Sequence, residues 1–106
     1  MHVISDIIKG FQPIKTFIPH PYLVFDILSY DTRKIRVGER SLFFALRGQQ
    51  DGHQFIGDGY KKGVRNFVVS DLSFSTENFP EANFIWVENT LRAMQYLAAQ
   101  HRESIS

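Results

Sequence analysis

The sequence predicts an α/β fold, a three-layer α/β/α domain built on a small, mostly parallel sheet. Three observations point to it. From residue 41 onward, short apolar runs alternate with helix-like segments, the pattern of parallel strands joined by crossover helices. Two of those runs, SLFFALR and VRNFVVS, are apolar without alternation, as in strands covered on both faces. The last segment, TLRAMQYLAAQ, carries apolar residues at helical spacing and so offers one covering face.

Taken in order, SDIIKG reads as a short helix, with Ser5 as its cap, Ile7 and Ile8 as its apolar anchor and Gly10 as its stop. The prolines of QPIKTFIPHP favour extended chain, and YLVFDILSY, rich in aliphatic and aromatic residues, reads as one strand ended by the polar residues 29–33. Residues 41–47, between Gly38 and Gly48, form the central strand. In DGHQFIGDGYKKG, Asp51 caps a helix that packs through Phe55, Ile56 and Tyr60 and stops at Gly63. Gly57 and Gly59 weaken that helix by about 1 kcal/mol each relative to Ala. VRNFVVS and NFIWV are strands separated by the loop FSTENFPEA. Asn89 or Thr90 caps the closing helix, whose inward stripe reads Leu91, Met94, Leu97, Ala98 and His101.

With 106 residues, the chain is sized for a single domain spanning 1–106. Hydrophobic residues make up 43% and charged residues 22%, ordinary values for a globular protein. Ten Phe, four Tyr and one Trp must mostly fill the core. A net charge of +1 supplies no field for a polyanion, so nucleic acid is not an expected partner. The absence of Cys excludes disulfides and thiolate metal sites and fits a reducing compartment. No run approaches the length a bilayer requires, and the N-terminus lacks a basic, apolar leader, so a cytoplasmic protein without a membrane partner is expected.

Ligands of open α/β sheets bind beyond the carboxyl ends of strands. Two polar stretches fall there: Ser29, Tyr30, Asp31, Thr32 and Arg33 after one strand, and Arg47, Gly48, Gln49, Gln50, Asp51 and Gly52 after the next. If the two strands are neighbours, their ends form one pocket. Ser29 and Thr32 bring hydroxyls suited to the edge of a flat heterocycle, Gly48 and Gly52 allow close approach of a bulky anion, and Arg47 offsets its charge. A plainer reading stands beside this one. Asp31 can cap its own turn with Arg33 paired to a surface carboxylate, the glycines can be turn residues only, and His53 suits capping or packing better than base catalysis. YKKGVR reads as cations at a helix end that complement its dipole and stay solvated. There is no nucleophile elbow, HExxH pair or GxxxxGK[ST] loop, and the four His lack metal-cluster spacing, so no metal site is expected.

DTRKI, SLFFALRG, DGHQFI, GVRNFVVS and VENTLRAMQYLA, in that order, resemble the N-terminal domain of the Mur ligases over nearly the whole chain. The resemblance is greatest to the branch that adds D-alanyl-D-alanine to UDP-N-acetylmuramoyl-tripeptide in peptidoglycan synthesis, including the form fused to an alanine racemase. It implies a domain that binds the UDP end of that substrate. Central ATP-binding and C-terminal domains, with ATP and magnesium, would belong to the parent protein and not to this chain, which is then non-catalytic. By the same resemblance, Thr32 stands near the uracil, Ser29 and Tyr30 line its pocket, Arg47, Gly48, Gln49 and Gln50 run past the diphosphate, and Asp31 and Arg33 brace the turn. A non-catalytic interaction module of the same fold, attached to another enzyme, is the alternative.

Overall fold

Burial of the apolar runs produces, in chain order, β1 (His2–Val3), α1 (Ile4–Ile7), β2 (Lys15–Phe17), β3 (Val24–Phe25), β4 (Ile27–Ser29), β5 (Ser41–Phe44), α2 (Ile56–Lys61), β6 (Asn66–Val69), β7 (Asn83–Trp86) and α3 (Thr90–His101). This is a computed structural model that describes residues 1–48 and 50–101. The main sheet has the order β2-β7-β6-β5-β4. β4, β5, β6 and β7 are parallel, and β2 joins β7 antiparallel at one edge. β1 and β3 make a separate antiparallel ribbon. Among the described residues, no helix is long and apolar enough to cross a membrane.

The unbroken apolar runs are explained by covering on both faces. Leu42 and Phe44 of β5 point to one side with Leu28, Val68 and Ile85, where Ile4, Ile7, Phe11, Met94 and Leu97 cover them. Phe43 and Ala45 point to the other side with Phe67, Val69, Phe84 and Trp86, under Ile56, Val64 and Ala82. α1 and α3 thus lie on one face and α2 on the other, which gives the three layers. The second face is largely aromatic: Phe67 stacks on Phe84 at 5.1 Å between ring centroids, and Phe43 meets Phe67 edge-on at 6.0 Å. At the amino ends of β6 and β7, the buried Asn83 amide donates to Asn66 Oδ1 (2.9 Å) and to the His20 carbonyl (2.8 Å), tying the loop that leads into β3.

Several expectations need correction. YLVFDILSY is not one strand. Asp26 interrupts it, its amide donating to the Arg40 carbonyl and its carboxylate accepting from the Arg40 guanidinium, so that β3 pairs with β1 and β4 with β5. Ser5 does not cap α1: the N-cap is Val3, and Gly10 does not end the segment, which continues as a 3-10 turn over Ile8–Phe11. The helix begun at Asp51 opens as a 3-10 turn, Gly52–Phe55, before α2. Leu91 is 45% exposed, and Ala93 takes its place beside Met94 and Leu97. The side chain of His101 lies outside the described residues, as does all of Gln49.

Candidate functional site

The carboxyl ends of β4 and β5 lie side by side, because those strands pair in parallel with Ser29 opposite Phe43. Beyond β4 the chain turns at Asp31. Its Oδ1 accepts the Arg33 amide (3.0 Å) and Arg33 Nε (3.0 Å), and its Oδ2 accepts Arg33 Nη2 (2.9 Å). The Arg33 side chain, followed by its amide, holds the Asp31 carboxyl down at about 2. A 3-10 turn, Thr32–Lys34, follows, with Thr32 buried and its methyl group facing Gly59 of α2. Ser29 is buried, and its hydroxyl lies 3.5 Å from the Asp31 carbonyl, inside the turn.

Beyond β5 the chain closes a small loop. The Gly52 amide donates to the Leu46 carbonyl at 2.7 Å, and Arg47 bridges Asp51 through the backbone. Asp51 caps the turn that follows by accepting the His53 amide (3.0 Å) and pairing with His53 Nδ1 (2.6 Å), and the amide above all lowers its carboxyl. His53 is buried, and its Nε2 accepts the amides of Ser70 (3.0 Å) and Asp71 (3.1 Å), so the ring hydrogen sits on Nδ1. The ring is fully occupied with holding β6 to this loop and is not free to act as a base.

Between the two loops is a cavity of about 210 Å³ lined by Tyr30, Asp31, Thr32, Arg33, Gln50 and Phe55. Pockets for whole drug-sized ligands run from about 300 Å³ upward, so this one suits a single ring with its near substituents. Tyr30 and Phe55 supply apolar ring faces, while Thr32, Gln50 and Arg33 supply polar groups. The structure therefore brings Tyr30, Thr32 and Gln50 together. Ser29 supports the turn from beneath, and Gly48 is exposed, with nothing within 4 Å of where a Cβ would stand. Arg47 turns away, its Nε donating to Ser70 Oγ at 3.2 Å. Phe55, expected only as a helix contact, also lines the cavity from the end of the 3-10 turn that Asp51 caps. Two larger hollows, of about 580 and 370 Å³, flank Tyr96, and neither includes a residue of the two loops. Among the described residues, no group of three or more His, Asp or Glu is arranged to hold a metal ion.

No family model matches the sequence. Over 77 residues, 73% of this chain, it is 31% identical to the UDP-N-acetylmuramoyl-tripeptide–D-alanyl-D-alanine ligase of Rickettsia prowazekii. Over 80 residues, 74% of the chain, it is 32% identical to the UDP-N-acetylmuramoyl-L-alanyl-D-glutamate–2,6-diaminopimelate ligase of Cytophaga hutchinsonii. Each alignment spans 16% of the relative's length. The fold matches the crystal structure of MurF from Acinetobacter baumannii with a TM-score of 0.71 over 94% of this chain and 21% of that one, at 20% identity. Together the sequence relatives and the shared fold identify the chain as a Mur ligase N-terminal domain, MurF-like in form.

Proposed function

We propose that the domain holds the UDP end of UDP-N-acetylmuramoyl-tripeptide for an ATP-dependent ligase that adds D-alanyl-D-alanine to the far end of that substrate. The observation that supports this is a cavity shared by the turn after β4 and the loop after β5, with Tyr30, Thr32, Gln50 and Phe55 on its walls. A pyrimidine presents flat faces and an edge of donors and acceptors. The two rings suit the faces, and the Thr32 hydroxyl and Gln50 amide suit the edge, each bond contributing about 0.5–1.5 kcal/mol net. Arg33, which lines the cavity with its side chain largely exposed, offers a cation at the rim for a diphosphate, whereas Arg47 is directed toward Ser70 and lines no part of the cavity.

Bond formation is assigned to the central and C-terminal domains of the parent protein, with ATP and magnesium. This chain has no GxxxxGK[ST] loop, and no step is routed through its residues. Its contribution is positional: binding energy from a distant handle fixes the reacting carboxylate.

Titration of the chain with UDP-N-acetylmuramoyl-tripeptide, followed by amide NMR, tests the reading. Shifts clustering at residues 29–33 and 47–55 are the expected result, and no shifts there at millimolar ligand would overturn it. Thr32→Ala should weaken binding by about 1 kcal/mol.

A further inference from the structure

We propose that Lys62 is a positioning residue for this cavity: its ammonium grips the Thr32 carbonyl and so fixes the turn that presents Tyr30, Thr32 and Arg33 to a pyrimidine nucleotide. The inference rests on the reading given under Proposed function and adds a residue that lines no part of the cavity.

Lys62 Nζ donates to the Thr32 carbonyl at 2.6 Å, a short, charge-assisted bond across 30 residues of sequence. The same carbonyl accepts the Ile35 amide at 3.3 Å, which closes the 3-10 turn. Lys62 thus holds the atom on which the turn depends. A flexible lysine does this well only if its stem starts from fixed backbone, and here it does. The Lys62 amide donates to the carbonyls of Asp58 (3.2 Å) and Gly59 (3.0 Å), and its own carbonyl lies against Gly38, where a Cβ would come within 2.0 Å. Gly63, at φ +99°, then ends the helix in a left-handed conformation. The competing partner, Asp58, stands farther off at 3.7 Å. Gly59 supports the same turn from below, under the Thr32 methyl group. The carboxyl end of α2 is therefore a platform for the turn after β4, with Lys62 as its fastening.

The test compares Lys62→Met, which keeps the stem and loses the donor, with Lys62→Arg, which restores a cationic donor. Uridine and UDP are titrated separately into each chain and followed by amide NMR. The expected result is an approximately five- to tenfold weaker Kd for both ligands in Lys62→Met, about the value of one ordinary hydrogen bond, with recovery in Lys62→Arg. Faster hydrogen exchange at the Ile35 amide, with β6 amides unchanged, should accompany it in the absence of ligand. Lys62→Gln provides a second removal of the cation if Lys62→Met loses its β6 signals. Unchanged affinity in the folded variants overturns the proposal. Weakening for UDP but not uridine also overturns it, since Lys62 would then meet phosphate directly. Failure of the unaltered chain to bind either ligand overturns the site reading itself, and is distinguished from the other results because it appears before any substitution.

Discussion

Nε2 of His53 accepts the amide hydrogen of Ser70 at 3.0 Å, which fastens the loop after β5 to the end of β6. The Asp71 amide shares the same nitrogen, and Asp51 orients the ring from its other side. His53→Ala removes all three bonds and leaves two backbone donors to find water, so it should cost about 2 kcal/mol in urea unfolding. His53→Ala should also perturb amides at 51–53 and 70–71 together. A loss confined to 51–53 would mean that the ring does not bridge the two strand ends.

Thr90 Oγ1 donates to the Ala45 carbonyl at 2.9 Å in a buried setting, linking the first turn of α3 to the end of β5. Thr90→Val keeps the shape and leaves that carbonyl without its donor. A loss of about 1–3 kcal/mol is the expected outcome, read from the shift in chemical-denaturation midpoint at constant slope.

Gly38 packs against the backbone at the end of α2: an added Cβ would fall 2.0 Å from the Lys62 carbonyl oxygen and 2.9 Å from the Gly63 carbonyl carbon. Neither atom belongs to a side chain that can swing aside. Gly38→Ala should therefore destabilise the domain by about 3 kcal/mol, with a lower melting temperature as the measure. Gly63→Ala meets a different obstacle, since its φ of +99° suits glycine, and should cost about 1–2 kcal/mol.

Asp31 carries a pH dependence of known sign. Its folded carboxyl sits at about 2, below the usual value near 3.9, chiefly because of the Arg33 guanidinium and next because of the Arg33 amide. A lowered folded value means that the group stabilises the fold above about pH 4 and loses that contribution as pH falls toward 2. Carboxyl-carbon NMR should show a midpoint near 2 in the unaltered chain. In Arg33→Ala the midpoint should rise only part of the way to 3.9, because the backbone amide still donates.

What could be read from the sequence differs from segment to segment for physical reasons. SLFF and NFVV were legible as strands covered on both faces because their apolar runs leave no other place for them, and NFIW as a further strand; SLFF, expected at the centre of the sheet, lies one place from it, because β6 takes the middle. The break at Asp26 was not, since its partner Arg40 lies fourteen residues away and nothing local marks the pairing. Leu91 fits the helical stripe as well as Ala93 does; only the position of the sheet decides that Ala93 faces inward. At the candidate site, the strand-end rule located both loops, while the direction of Arg47 toward Ser70 depends on β6 lying next to β5. Lys62 was misread as a solvated cation because a hydrogen bond to a backbone carbonyl thirty residues away leaves no trace in composition.

The edge strand β2, residues 15–17, is held by β7, residues 83–86, and Lys15 also lies over the Trp86 ring at 4.6 Å. During synthesis, an early segment must therefore wait until about 70 further residues have left the ribosome before its neighbour exists. Pairing so distant along the chain slows closure of the last seam. Until then the side of the sheet that β2 will occupy is a raw margin, which leaves the nascent chain open there to pairing with another of its kind.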